Sequence, residues 1–146
     1  MFDKILVVCA GNICRSPIAK EMLSKIMPDK ELDSAGLITQ KSNLISARAS
    51  EPMIQLALDA NIDLSTHQAK QLTPELCQWA ELILVMEESH IYSVADIAST
   101  ARSKTFLLGQ WSTGTISDPY GKGEREYKVA YQAIEQACES WRKRLQ

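Results

Sequence analysis

The sequence predicts an α/β domain built on a parallel sheet, and three observations carry that expectation. Short apolar runs alternate with segments whose apolar residues recur at three and four positions. The runs Ile5-Leu6-Val7-Val8 and Leu82-Ile83-Leu84-Val85-Met86 are continuously apolar, as suits strands buried on both faces. The first third of the chain reads as strand, helix, strand, which in one sheet means parallel strands joined by a right-handed crossover.

Lys4 to Cys9 is the first strand, ended by Gly11 and Asn12. Ser16-Pro17 reads as a helix start, Ser as N-cap and Pro in the first helical position. Ile18, Met22 and Ile26 then form an apolar stripe, and Pro28-Asp29 closes the helix. Glu31 to Ser34 is a second short strand, and 35–49 is a loop rich in Ser and Asn. A helix follows from Ser50, with Pro52 in its first turn and Ile54, Ala57 and Leu58 inward. Thr73-Pro74 repeats the cap-and-proline signal for a short helix. After the strand at 82–86 comes a polar helical segment with Ile91, Val94 and Ile97 inward. Thr105 to Leu108 is the last strand, and 109–123 a second long loop. The C-terminal helix is the clearest, with Tyr127, Ala130, Tyr131, Ile134, Ala137, Cys138, Trp141 and Leu145 on one stripe.

The chain has 146 residues, the size of one ordinary domain (1–146), enough to bury roughly two thirds of its unfolded surface. Net charge is -2 with no basic run, so nucleic acid is not an expected partner. No stretch approaches the ~20 apolar residues of a membrane span, and no signal peptide is evident. Cys9, Cys14, Cys77 and Cys138 are therefore expected to be thiols of a cytoplasmic protein. There is no CxxC pair, and His67 and His90 lie far apart, so no metal or cofactor is expected.

The stretch "CAGNICRSP", residues 9–17, gives this frame a chemical purpose. Loops after parallel strands gather at the carboxyl edge of the sheet, where open α/β folds bind ligands. A helix N-terminus there favours an anion. Gly11 and Asn12 tolerate positive φ, so N–H groups along Ala10, Gly11, Asn12, Ile13, Cys14, Arg15 and Ser16 can turn inward. Arg15 adds a planar fork for two oxygens. The result is a cradle for a tetrahedral oxyanion with Cys9 at its floor. The dipole and guanidinium that attract phosphate also stabilise a thiolate, which makes Cys9 a nucleophile aimed at phosphorus. Ser16 can donate to the sulfur as it leaves. Cys14 is read two ways: as a packing residue, or as the partner that traps Cys9 in a reversible disulfide. Cys77 and Cys138, on apolar stretches, are assigned to the core.

Phosphoryl transfer also needs an acid for the leaving oxygen. "SDPYGKG", residues 117–123, supplies Asp118, held extended by Pro119. Tyr120 beside it would wall an aromatic leaving group.

Together these residues resemble the low-molecular-weight protein tyrosine phosphatases. The motifs are "VCAGNICRSP" at 8–17, "DSAG" at 33–36, "THQAKQLT" at 66–73, "LILVMEESH" at 82–90 and "DPYG" at 118–121. The resemblance implies a single three-layer, flavodoxin-like domain with a four-stranded parallel sheet and helices on both faces. It implies Cys9 as nucleophile through a phosphocysteine, Arg15 as phosphate clamp and Asp118 as acid, then base. It also implies a network of Asn12, Ser16 and His67 that holds the cradle in shape. The lid loop 37–49 departs from many members in having no aromatic, and only one tyrosine follows Pro119. That lid and "LLGQW" at 107–111 look most like the bacterial branch acting on membrane tyrosine autokinases of capsule and exopolysaccharide export. Two other readings share the cradle: an arsenate reductase, which needs further cysteines in relay, and a phosphocarrier that keeps phosphate on cysteine.

Overall fold

In the computed structural model, which describes residues 2–146, the first apolar run forms β1 (Lys4–Cys9) in the interior of a four-stranded parallel sheet. Around it lie α1 (Arg15–Ile26), β2 (Glu31–Gly36), α2 (Glu51–Asp59), α3 (Pro74–Trp79) and β3 (Leu82–Val85). The chain continues through α4 (Glu88–Ile97), a 3-10 turn (Ser99–Lys104), β4 (Thr105–Leu107) and α5 (Glu124–Leu145). The strand order is β2-β1-β3-β4.

Period-two alternation divides β1 between two cores. Ile5, Val7 and Cys9 pack with Leu82 and Leu84 against the apolar sides of α1, α2 and α5. Leu6 and Val8 pack with Ile83 and Val85 on the opposite face, against Cys77 of α3 and Val94 of α4. Helices thus cover both faces, which is why neither strand shows a polar alternation. Each fully buried Leu, Ile or Val in these layers contributes about 1.5–3 kcal/mol relative to exposure.

Three local expectations are corrected. Ser16 is not a helix cap: α1 begins at Arg15, with Cys14 at its N-cap and no side-chain cap bond. The Ser16 hydroxyl is engaged elsewhere, and Pro17 still falls among the first four positions, whose N–H groups lack an intrahelical partner. Leu58 is half exposed, because the inward face of α2 is centred on Met53, Ile54 and Ala57 and the next residue turns off it. The second strand continues past Ser34 to Gly36, since Ala35 and Gly36 pair with Val8 and Cys9. Thr73 does cap α3, accepting from Leu76 N at 3.2 Å.

From β1 the chain crosses one way to β2, and β3 lies on the other side. That reversal opens a crevice at the carboxyl ends of β1 and β3. The loops carrying Cys9–Arg15 and Glu87 both emerge there.

Candidate active site

The backbone of the loop after β1 is held from outside, carbonyl by carbonyl. Cys9 O accepts from Leu37 N (3.0 Å), Ala10 O from Ile38 N (2.9 Å), and Gly11 O from Thr39 Oγ1 (2.9 Å). Asn12 O accepts from His67 Nε2 (2.6 Å), and Ile13 O from Ser50 N (2.7 Å). In a planar trans peptide the following N–H points opposite to the carbonyl. Five carbonyls turned outward therefore turn the N–H groups of Ala10 through Cys14 inward, forming an anion nest. Gly36 permits the close approach of β2, since a Cβ there would lie 2.8 Å from Ala10 O.

Asn12 is the residue that bends the loop, with φ at 63° and no exposure. Its Nδ2 donates to Ser16 Oγ (2.7 Å) and Ser34 Oγ (3.0 Å), and its Oδ1 accepts from Lys70 N (3.0 Å). Ser16 Oγ lies 3.0 Å from Cys9 Sγ, and because it accepts from Asn12 through a lone pair, its own hydrogen is free to be donated to the sulfur. Gly11 does not adopt positive φ, contrary to expectation. Its lack of a side chain instead leaves room beside Leu44 Cδ1, 3.1 Å from where a Cβ would sit. His67, bonded to a carbonyl, carries its hydrogen on Nε2. Burial pushes its pKa below the usual imidazole value, against the pull of the Asn12 carbonyl, so it acts as a neutral donor.

Arg15 is almost wholly buried, at 1% exposure. Its Nη1 donates to Glu87 Oε2 (2.7 Å) and to Ile116 O (2.8 Å), which occupies both hydrogens. Nη2 lies 3.8 Å from Asp118 Oδ2, and Nε is buried without a protein partner. The Nε–Nη2 edge is thus the side of the fork left for two ligand oxygens. Burial would raise the Glu87 carboxyl, but its hydrogen bond to Arg15 and the guanidinium charge outweigh this and hold it below the usual value.

Cys9, Ala10, Gly11, Ile13, Cys14, Arg15, Asp118 and Tyr120 line one cleft of about 310 Å³, with Ile38, Ser42 and Leu44 completing the walls. Asp118 is set by a local turn in which its Oδ1 accepts from Tyr120 N (3.1 Å). The side chains of Asn12 and Ser16 lie behind this cleft and support the loop from below, and His67 opens onto a separate polar pocket. Cys14 Sγ is 3.6 Å from Tyr127 Oη, itself 2.6 Å from Ser50 Oγ. Burial pushes the Cys14 thiol up to about 11 despite those partners. Cys77 and Cys138 are buried on opposite faces of the sheet, as core residues, with burial raising both thiols.

Glu87, Ser34, Thr39, Lys70 and the Ile116 carbonyl are site residues that the sequence reading did not single out. Glu87 lay inside a quoted motif but carried no assigned role. Ser34 and Lys70 also lay inside quoted motifs without a role, and like Thr39 and Ile116 they act through backbone atoms or through hydroxyls distant in sequence.

The sequence profile of the family described as low molecular weight phosphotyrosine protein phosphatase matches residues 4–146. The low molecular weight protein-tyrosine-phosphatase Etp of Escherichia coli K12 is 39% identical over 145 residues, covering 99% of this chain and 95% of the relative. Vibrio vulnificus Wzb, solved with benzylphosphonate, superimposes with a TM-score of 0.96 at 43% identity, over 99% of each chain. The YwlE arginine phosphatase of Geobacillus stearothermophilus gives a TM-score of 0.89 at 30% identity, over 99% of this chain and 93% of that one. With this profile, these relatives and the flavodoxin-like order of its sheet, the chain belongs to the low molecular weight phosphotyrosine protein phosphatase family.

Proposed function

We propose that this protein hydrolyses phosphotyrosine in protein substrates in two steps, with Cys9 as nucleophile, Arg15 as clamp and Asp118 as proton carrier. The observation that carries this reading is the Nε–Nη2 edge of Arg15, the only part of a buried fork without a protein hydrogen-bond partner, set in one cleft with Cys9 and Asp118. The inward N–H groups and Arg15 hold the three peripheral oxygens of the phosphoryl group. The Cys9 thiolate attacks phosphorus in line, the P–O bond to the phenol breaks, and Asp118 as an acid gives its proton to the leaving oxygen. Water then attacks the phosphocysteine while Asp118, now a carboxylate, takes the water's proton. The P–S bond breaks, and the electron pair returns to Cys9 as a thiolate that accepts the Ser16 hydrogen bond.

The similarity to Etp and Wzb supports a finer reading: the substrate is a membrane tyrosine autokinase of polysaccharide export, met from the cytoplasm. Among the described residues no helix is long and apolar enough to cross a membrane, so the kinase supplies the membrane attachment in this scheme.

The test is phosphate release from an aryl phosphate without metal, by wild type, Cys9→Ser and Asp118→Asn. Cys9→Ser is expected to bind phosphate without turnover. Asp118→Asn is expected to lose about 10²–10⁴ in kcat, the usual worth of a positioned acid–base group. Stable phosphate on Cys9 of the wild type, with no release, would make the protein a phosphocarrier instead. Comparing phosphotyrosine with phosphoarginine peptides decides the substrate class, and an autokinase cytoplasmic domain left phosphorylated would overturn the partner.

A further inference from the structure

A second imidazole stands behind the cleft with no part in the scheme above. His90, in the first turn of α4, is 8% exposed. Its Nε2 lies 3.7 Å from Glu87 Oε2, the same oxygen that accepts from Arg15 Nη1 at 2.7 Å. Its Nδ1 is sealed from solvent with no hydrogen-bond partner. A leucine would fill this space without burying an unpaired nitrogen, which folded proteins ordinarily avoid. The nitrogen that faces Glu87 explains why an imidazole is there at all.

We infer that His90 is a positioning residue for Arg15, acting through Glu87. The Glu87 side chain is 35% exposed, so its carboxylate has water as an alternative partner. At 3.7 Å, beyond hydrogen-bond length, the Nε2–H dipole of His90 still faces Oε2 and favours the carboxylate turned inward. That keeps Nη1 of Arg15 tied down and the Nε–Nη2 edge toward the cradle. The charged groups around the ring are Arg15, Glu87 and Asp118. Burial and the Arg15 charge lower the His90 pKa, so at neutral pH the ring faces Glu87 as a neutral dipole and not as a cation competing with Arg15 for the carboxylate.

This inference rests on Arg15 holding the phosphoryl group, and its test is chosen to stand apart from turnover. Sulfate, a tetrahedral dianion whose charge does not change across neutral pH, is titrated calorimetrically into wild type, His90→Leu, His90→Gln, Glu87→Gln and the Glu87→Gln/His90→Leu pair. His90→Leu is expected to weaken sulfate binding about tenfold, the equivalent of about 1.4 kcal/mol. KM for an aryl phosphate should rise alongside, with a smaller change in kcat. His90→Gln, which keeps an N–H donor, should recover most of the affinity. In the Glu87→Gln background the leucine should have little further effect, because the residue it acts through has already been altered. Should His90→Leu not fold, His90→Asn carries the same comparison, its amide being too short to reach Glu87. Wild-type sulfate affinity in His90→Leu, or the same loss with and without Glu87, would overturn the inference. Sulfate binding that follows the expected pattern in a protein without turnover would instead refute the phosphatase reading and leave this one standing.

Discussion

Asn12 offers a direct measure of what holds the cradle open. Its side chain makes three hydrogen bonds, two of them buried, to Ser16, Ser34 and Lys70 N, and its backbone sits at φ 63°. Asn12→Ala removes all three, at about 0.5–1.5 kcal/mol each. Alanine in the left-handed region adds about 1–2 kcal/mol. The total is about 3–6 kcal/mol, which for a chain of this size lowers Tm by roughly 10–20 °C. Asn12→Gly loses the same bonds but not the backbone term, so it should unfold about 1 kcal/mol later than Asn12→Ala. Asn12→Asp separates stability from chemistry. It keeps an acceptor for Lys70 N and tolerates the positive φ, but turns two donors into acceptors. Ser16 and Ser34 can rotate to donate to it, and the Ser16 hydrogen then leaves Cys9 Sγ. That variant should keep much of its Tm and lose most of its kcat. Urea unfolding gives the energies, and aryl phosphate kinetics give the rate. An Asn12→Ala cost under about 1 kcal/mol would refute the view that this network holds the loop in shape.

Three further predictions rest on the histidines and cysteines. His67 and His90 both have lowered pKa values, chiefly through burial. The unfolded chain therefore takes up protons first as pH falls through about 6.5, so Tm should fall from pH 8 toward pH 5. Replacing both by Gln should flatten that limb, and a Tm that rises on acidification would contradict it. Burial keeps Cys14 a neutral thiol at neutral pH, with its pKa pushed up to about 11. Iodoacetamide at pH 7.5 should accordingly modify Cys9 well before Cys14, as peptide mass spectrometry would show. If Cys14 also guards Cys9 by a reversible disulfide, Cys14→Ser should lose activity to peroxide irreversibly and faster than wild type.

The parallel sheet and the long amphipathic α5 were legible because burial on both faces and a sustained 3.6-residue period leave plain traces in sequence. The cradle was legible because its residues are contiguous: strand, Gly11-Asn12, Arg15 and the helix start occupy one stretch. What holds the cradle was not legible in the residues themselves; Asn12, Ser16 and His67 were expected there only through the family resemblance. The donors to its carbonyls come from Leu37, Ile38, Thr39, Ser50 and His67, and their contribution is a backbone N–H, a hydroxyl or a ring N–H, which no periodicity reports. Ser16 shows the difficulty in one residue. Ser-Pro is a good capping signal, yet here the hydroxyl serves Asn12 and Cys9, and the helix starts two residues earlier than that signal predicts. Gly11 shows it again, a glycine kept for space beside Leu44 and not for backbone freedom.

The lid without an aromatic raises the question of what grips a phenyl ring. The cleft answers with aliphatic walls, Ile13, Ile38 and Leu44, and one aromatic, Tyr120, from the opposite loop. Tyr120 is 59% exposed, so it has contact surface to give to a ligand. It belongs to the same turn as the acid, since its N–H donates to Asp118 Oδ1. The ring and the turn can be separated by experiment, because the bond to Asp118 uses the backbone and survives truncation of the side chain. Tyr120→Ala should therefore raise KM for aryl phosphates about three- to tenfold, the worth of one aromatic contact of about 0.5–1.5 kcal/mol. Affinity for sulfate, which has no ring to stack, should stay unchanged, as should kcat. If sulfate binding or kcat falls in step with KM, Tyr120 supports the turn that carries Asp118, and ring recognition must come from Ile38 and Leu44. A selective loss for aryl substrates would mean that the aromatic wall of this cleft is carried by the loop of the acid alone. Substrate grip and proton delivery would then be placed by a single turn.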